Sequence, residues 1–251
     1  MSDLGSEGFE QTDGYLLAYF NENRFKSYEV NELLKSYSHT VNTIKEQNWN
    51  EVWESNFEPV VVDTFCAIRA EFHQPIKGVE HEIIITPKMS FGTGHHATTY
   101  MMIDQMRDID FRNKSVFDFG TGTGILAILA EKLGAATITA IDVDDWSISN
   151  AAENLAKNQC SNVSVTLSSQ LPKNRFDVVL ANINRNVILD YLPQLSECVW
   201  ENSYLLLSGL LSSDETDIVN ACSTQGLALQ KRSERGNWRS LLFINSLRTT
   251  G

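Results

Sequence analysis

The chain has 251 residues, 42% of them hydrophobic, enough to bury a sizeable core as one large domain or two modest ones. Acids outnumber bases by 32 to 20, a net charge of −12. That argues against non-specific nucleic-acid binding, which depends on basic side chains neutralising phosphates, and it suits a basic protein partner.

The N-terminal MSDLGSEGFEQTDG has neither the basic nor the apolar region of a secretory signal. Residues 1–48 read as a small α+β unit. Phe9 to Thr12 and Tyr15 to Phe20 look like strands joined at Asp13-Gly14, and Tyr28 to Tyr37 carries Val30, Leu33, Leu34 and Tyr37 at helical spacing. His39 to Glu46 alternates imperfectly, as a strand. Residues 49–80 read as a linker segment. Trp49 and Trp53, four apart, suggest a short helix with an aromatic packing face. Phe57 to Ile68 reads as a strand, Pro75 to Val79 as a turn, and Ile83 to Thr86 as a short strand before Pro87. Cys66, Cys160, Cys198 and Cys222 lack C-x-x-C spacing, so no metal site is expected from them, and reduced thiols in a cytoplasmic protein are the simplest account.

From Lys88 onward the pattern is that of a large domain, with Met101 to Met106 at the heart of a helix. Before that helix stands Phe91-Gly92-Thr93-Gly94-His95-His96-Ala97-Thr98-Thr99. Its two glycines let the backbone approach a ligand, and His, Thr and Thr supply donors. The plainer account is a surface turn with Thr98 or Thr99 as N-cap. Adjacent residues such as His95 and His96 rarely converge on one metal ion.

The stretch Ser115 to Asp142 is the most informative. An apolar run, Val116 to Phe119, enters Gly120-Thr121-Gly122-Thr123-Gly124, a helical pattern follows to Gly134, and a second run, Ile138 to Ile141, ends on Asp142. Strand, glycine turn, helix, strand and acid form the ligand-binding start of a doubly wound α/β sheet. A dinucleotide fingerprint wants a sixth-position glycine, where Ile125 stands, and a P-loop wants Lys followed by Ser or Thr, which is absent. No Lys or Arg lies between Ser115 and Glu131, while Asp118 stands two residues before Gly120. A phosphate is therefore disfavoured. The helix N-terminus can still receive a carboxylate, and Asp142 can accept from ribose hydroxyls. A ligand with ribose and a carboxylate but no phosphate fits: S-adenosyl-L-methionine. The alternative is a bare tight turn.

Further strands are expected at Val163 to Leu167, Val178 to Leu180 and Tyr204 to Leu207, with helices at Trp146 to Asn158 and Val187 to Trp200. Ala228 to Arg232 and Ser240 to Ile244 look like a closing pair. This alternation implies a mostly parallel sheet with helices on both faces. In FDVVLANI, Asn182 emerges where a buried strand ends, so Asp118, Asp142 and Asn182 converge on one crevice outside the carboxyl ends of the strands. A turn-forming Asn is the alternative for Asn182.

These segments, Phe91 to Thr99, Asp118 to Gly124, Ile141 to Asp144 and Ala181 to Ile183, together resemble the methyltransferase family that modifies protein eleven of the large ribosomal subunit. NWNEVWESNFEP upstream and LLLSGLL and NWRSLLF downstream extend the resemblance over most of the chain. It implies a seven-stranded class I methyltransferase domain over 81–251 and a substrate-recognition domain over 1–48. The family's recognition domain is a β-α-β-β-α-β sandwich, of which only the last β-β-α-β part is visible here. Ala97 stands where the family often has proline. By the resemblance, Thr99, Gly120, Gly122, Asp142 and Asn182 bind S-adenosylmethionine; Asn182 and the Phe91–Thr99 loop are expected to orient the acceptor amine. The reaction implied is methylation of lysine and α-amino groups of that ribosomal protein, without a metal, nucleic acid or membrane partner. The rival readings are a methyltransferase on RNA or a small molecule, and a non-catalytic nucleoside-binding module that docks on ribosomes. An Asn-Pro-Pro-aromatic motif, which would favour a nucleobase amine, is absent after the fourth strand.

Overall fold

A computed structural model of the chain describes residues 4–12, 14–43, 57–88, 94 and 96–246. It divides into two compact units, 1–48 and 49–251.

In the first unit, β1 (Gly8–Thr12) and β2 (Tyr15–Tyr19) form an antiparallel hairpin in the register Gly8 to Tyr19 and Thr12 to Tyr15. The short helix α1 (Ser27–Leu33) follows. Val30 is its one buried side chain among the described residues, while Tyr15, Leu16, Tyr28 and Tyr37 are all more than half exposed. The strand expected over His39 to Glu46 is not formed from His39 to Thr43, and its remainder lies outside the described residues, as do Trp49 and Trp53.

The second unit opens with a three-stranded sheet, β3 (Val60–Val62), β4 (Cys66–Ala70) and β5 (His81–Ile85), in that spatial order. One strand was expected over Phe57 to Ile68; instead the chain reverses at Asp63, whose φ is 47°, and Phe65 N–H donates to the Val62 carbonyl. β4 is buried along its whole length, and Val62, Ile68, Ile83 and Ile85 join Met102, Ile103 and Leu129 in one core cluster. From Phe57 on, the stretch read as linker therefore contributes to the core of the large unit.

The main sheet has seven strands: β6 (Ser115–Phe119), β7 (Thr137–Asp142), β8 (Val163–Leu167), β9 (Phe176–Asn182), β10 (Val199–Leu211), β11 (Leu227–Arg235) and β12 (Trp238–Asn245). Their spatial order is β11-β12-β10-β9-β6-β7-β8. Pairs from β8 through β10 are parallel, and β12 runs antiparallel between β10 and β11. The helices are α2 (Ala97–Met106), α3 (Ile125–Lys132), α4 (Asp145–Lys157), α5 (Arg185–Glu197) and α6 (Glu215–Thr224). A second cluster, with Phe117, Val179, Leu195, Leu207 and Phe243, fills the other face of the sheet. After β8 the chain returns past β6 to make β9, so the winding direction switches between β6 and β9. A crevice opens at such a point, outside the carboxyl ends of the strands.

Helix α4 meets the free edge of β5 through asparagines four residues apart. Asn158 accepts from Ile84 N–H at 3.0 Å and donates to the Ile84 carbonyl at 2.6 Å, and Asn154 accepts from Thr86 N–H at 2.8 Å.

Candidate active site

β6 delivers the chain to the switch point, where the glycine turn begins. Gly120 has φ 75°, and a Cβ there would lie 2.5 Å from Ile183 Cγ2. Glycine is thus demanded by both backbone conformation and space. The N–H groups of Gly120 and Thr121 both donate to the Ile141 carbonyl, at 2.9 and 3.0 Å, tying the turn to the end of β7. Gly124 caps α3 without any side-chain cap, leaving the first amides of that helix without partners inside it.

Asp142 ends β7. One carboxylate oxygen accepts from Gly122 N–H at 2.9 Å and the other from Asp144 N–H at 3.1 Å. Each oxygen keeps a second lone pair for a ligand hydroxyl. Asp144 in turn caps α4, accepting from the Trp146 and Ser147 amides. Beside Asp142, Val143, Leu167, Ser168, Ser169 and Gln170 line an open hollow of about 440 Å³. Of these, Val143 and Leu167 are exposed apolar side chains that sequence reasoning missed, because two isolated residues, one just past β7 and one at the end of β8, leave no periodic signal.

Asp118 is fully buried. Its Oδ2 accepts from the Thr121 hydroxyl at 2.7 Å, while its Oδ1 has no hydrogen-bond partner. Burial pushes this carboxyl up to about 7; the Asp142 charge adds to the rise, and the Thr121 hydroxyl and the Ala127 backbone amide of α3 oppose it.

Asn182 is the last residue of β9. Its Nδ2 donates to Thr99 Oγ1 at 3.2 Å, both side chains are buried, and Asn182 Oδ1 is unpartnered. Thr99 has this freedom because the cap of α2 is neither threonine. The cap is His96, whose ring nitrogen accepts from Thr98 N–H and lies 2.7 Å from the Thr98 hydroxyl. The turn thus seats Gly120 against Ile183 and pairs Gly122 with Asp142, while α2 and β9 bring Thr99 to Asn182. Gly94 is described with φ 93°, whereas Phe91, Gly92, Thr93 and His95 lie outside the described residues. Among the described residues no His, Cys, Asp and Glu group could hold a metal.

The residues fit a ligand that carries ribose and amino-acid groups. Asp142 offers acceptors, the start of α3 offers amides, and Asp118 adds a buried carboxyl, held by the Thr121 hydroxyl and the Ala127 amide, to which an ammonium could add. A sheet wound in this order, with a phosphate-averse glycine turn and an acid at the end of the next strand, defines a class I S-adenosylmethionine-dependent methyltransferase. The profile of the family described as ribosomal protein L11 methyltransferase (PrmA) matches residues 5–245. A protein of that name from Phocaeicola vulgatus is 38% identical over 253 residues, spanning 96% of this chain and 90% of the relative. Another from Chlorobaculum tepidum is 38% identical over 231 residues, 86% of this chain and 80% of the relative. The crystal structure of the ribosomal protein L11 methylase from Lactobacillus delbrueckii subsp. bulgaricus superposes with a TM-score of 0.70 at 28% identity, covering 76% of this chain and 99% of that one. The chain belongs to the ribosomal protein L11 methyltransferase family.

Proposed function

We propose that this chain methylates lysine ε-amino and α-amino groups of ribosomal protein L11 in the cytoplasm. The observation that carries the reading is the Asn182–Thr99 pair, which leaves a buried, unpartnered amide oxygen at the carboxyl end of β9. Bound S-adenosylmethionine supplies a methyl group on a positively charged sulfur. Asp142 would hold its ribose, the amides opening α3 its carboxylate, and Asp118 its ammonium. Gly120 and Gly122 keep the backbone close enough for these contacts. Asn182 Oδ1 would accept one N–H of the acceptor amine and so aim the nitrogen lone pair. With the methyl group passed to the nitrogen and the sulfur left neutral, the amine's surplus proton would pass to solvent. No side chain among these residues is a strong base. A free lysine amine has a pKa of about 10.4, so only ~1 in 2,500 is neutral at pH 7. Alignment and desolvation of that neutral fraction must then supply most of the acceleration.

The first unit, residues 1–48, would select the substrate. It exposes Tyr15, Leu16, Tyr28 and Tyr37, apolar side chains available for docking. Of its acids, Glu29 and Glu32 are paired with Lys26 and Lys35, which reduces the charge available to a basic partner, whereas Glu10 accepts from the neutral Tyr19 hydroxyl and keeps its charge. Residues 49–80 would join this unit to a catalytic domain over 81–251, even though β3 and β4 pack with the latter. The four free cysteines suit a reducing compartment. Among the described residues no helix is long and apolar enough to cross a membrane.

Mass spectrometry of purified L11, incubated with the full chain and S-adenosylmethionine, tests the reading: methyl additions on lysine and N-terminal peptides are expected. Binding of the donor without any mass change on L11 would refute it. A chain shortened to begin at Trp49 should still bind the donor but methylate L11 at least about tenfold more slowly. Equal rates would place recognition in the larger unit.

A further inference from the structure

Asn154 is fully buried on α4, and its amide lies between two stretches of backbone distant in sequence. Its Nδ2 donates to the Thr123 carbonyl at 2.9 Å, inside the glycine turn. Its Oδ1 accepts from Thr86 N–H at 2.8 Å, where the chain leaves β5 on its way to α2. One partner can only donate and the other can only accept, so the amide fits one way round. Asn150 extends the arrangement: its Nδ2 donates to the Thr86 carbonyl at 3.4 Å, and its Oδ1 accepts from Asn154 at 3.4 Å. The turn is also braced by contact, since a Cβ on Gly124 would lie 3.2 Å from Ala151 Cβ on the same helix.

We propose that Asn154 is a positioning residue that holds the glycine turn in its donor-binding form and couples it to Thr86, just past the end of β5. Through Thr123 it sets the backbone between Gly122, which binds Asp142, and Gly124, which opens α3. Through Thr86 the same side chain senses the segment leading to Thr99 and the acceptor side. Ordering the turn on a ligand therefore steadies Thr86, and disturbing Asn154 loosens both. This inference rests on the reading that the glycine turn binds S-adenosylmethionine.

A built-in comparison is available in Asn158. It makes two hydrogen bonds to Ile84 of β5 and one to the backbone carbonyl of Asn154, but none to the turn or to Thr86. Both Asn154→Ala and Asn158→Ala should lower the melting temperature. Only Asn154→Ala should raise the calorimetric Kd for S-adenosylmethionine, by about fivefold or more, the loss of one net hydrogen bond, with Asn158→Ala within about twofold of wild type. Asn154→Asp keeps the acceptor for Thr86 and loses the donor to Thr123, so it should weaken the donor's binding like alanine. In the unaltered chain, adding S-adenosylmethionine should slow amide exchange at Thr86 and leave Ile84 unchanged, a readout that does not depend on any variant folding. Wild-type affinity in either Asn154 variant, an equal loss in Asn158→Ala, or unchanged exchange at Thr86 would each overturn the proposal. An Asp142→Ala control separates the two levels: if it leaves the Kd unchanged, the location of the donor site is wrong, whereas if it weakens binding while the Asn154 variants do not, only the coupling fails.

Discussion

Asp142 offers the sharpest test of the donor site. Each of its carboxylate oxygens already accepts one backbone amide, from Gly122 and Asp144, which fixes the carboxylate and leaves one lone pair per oxygen facing outward. A hydrogen bond to a charged group contributes about 1.5–3 kcal/mol, so Asp142→Ala should weaken S-adenosylmethionine by roughly ten- to hundredfold. The upper part of that range is expected, because Gly122 also loses the partner that holds the turn. Asp142→Asn retains one acceptor oxygen and should fall between alanine and wild type. Calorimetry with S-adenosylhomocysteine and with an analogue lacking the ribose hydroxyls separates direct contact from turn loosening. If Asp142 holds the ribose, removing the hydroxyls weakens wild type strongly and Asp142→Ala much less. Equal penalties in both proteins would refute the ribose assignment, even if the variant binds poorly.

Asp118 should make donor binding sensitive to pH. Its folded pKa is raised above the unfolded value, so its contribution to stability is full below about pH 4 and is lost as pH rises through about 7. Asp118→Asn should accordingly stabilise the ligand-free chain more at pH 8 than at pH 4, as read by thermal melting. If the donor's ammonium requires the ionised form, wild-type affinity should rise by up to ~tenfold per pH unit between pH 5.5 and 7. A flat profile, or an unchanged slope in Asp118→Asn, would count against that contact. Asn182→Ala should lower the methyl-transfer rate at saturating donor by about tenfold or more, since a misplaced amine loses alignment; full activity with a lowered melting temperature would instead make it a turn residue. Gly94→Val meets positive φ and Ile68 Cδ1 at 2.5 Å, so it should reduce turnover and also cost about 1–2 kcal/mol of stability from the backbone alone. Unchanged kinetics and melting would show that the loop is a passive connector.

The centre of this fold is legible because its signals are local. Apolar runs of strand length, the glycine turn and Asp142 all lie within one short stretch, and strand-helix alternation implies the parallel sheet. What escapes is either unusual locally or set at a distance. The reversal at Asp63 uses a left-handed aspartate in VVVDTFCAI, with no Gly or Pro to mark it, so the β3–β4 hairpin reads as one strand. His96 rather than a threonine caps α2, a choice decided by which side chain is nearest the free amide. The placement of β12 between β10 and β11 is a matter of pairing, to which periodicity is blind. Asn154 resembles any polar residue on a helix until Thr86 and Thr123, 68 and 31 positions away, are seen beside it.

The asparagines that meet β5 have a consequence for colloidal behaviour. An outer strand normally exposes a row of unused amides and carbonyls, which can template pairing with a strand from another molecule. Here the outward groups of Ile84 and Thr86 are taken by side-chain amides from Asn150, Asn154 and Asn158. A carboxamide carries the same donor and acceptor as a peptide bond, so α4 satisfies the strand as another strand would, without itself presenting a new edge. The three-stranded sheet therefore ends there, and in the folded chain Ile83 to Ile85 are kept from pairing with the same segment of another copy.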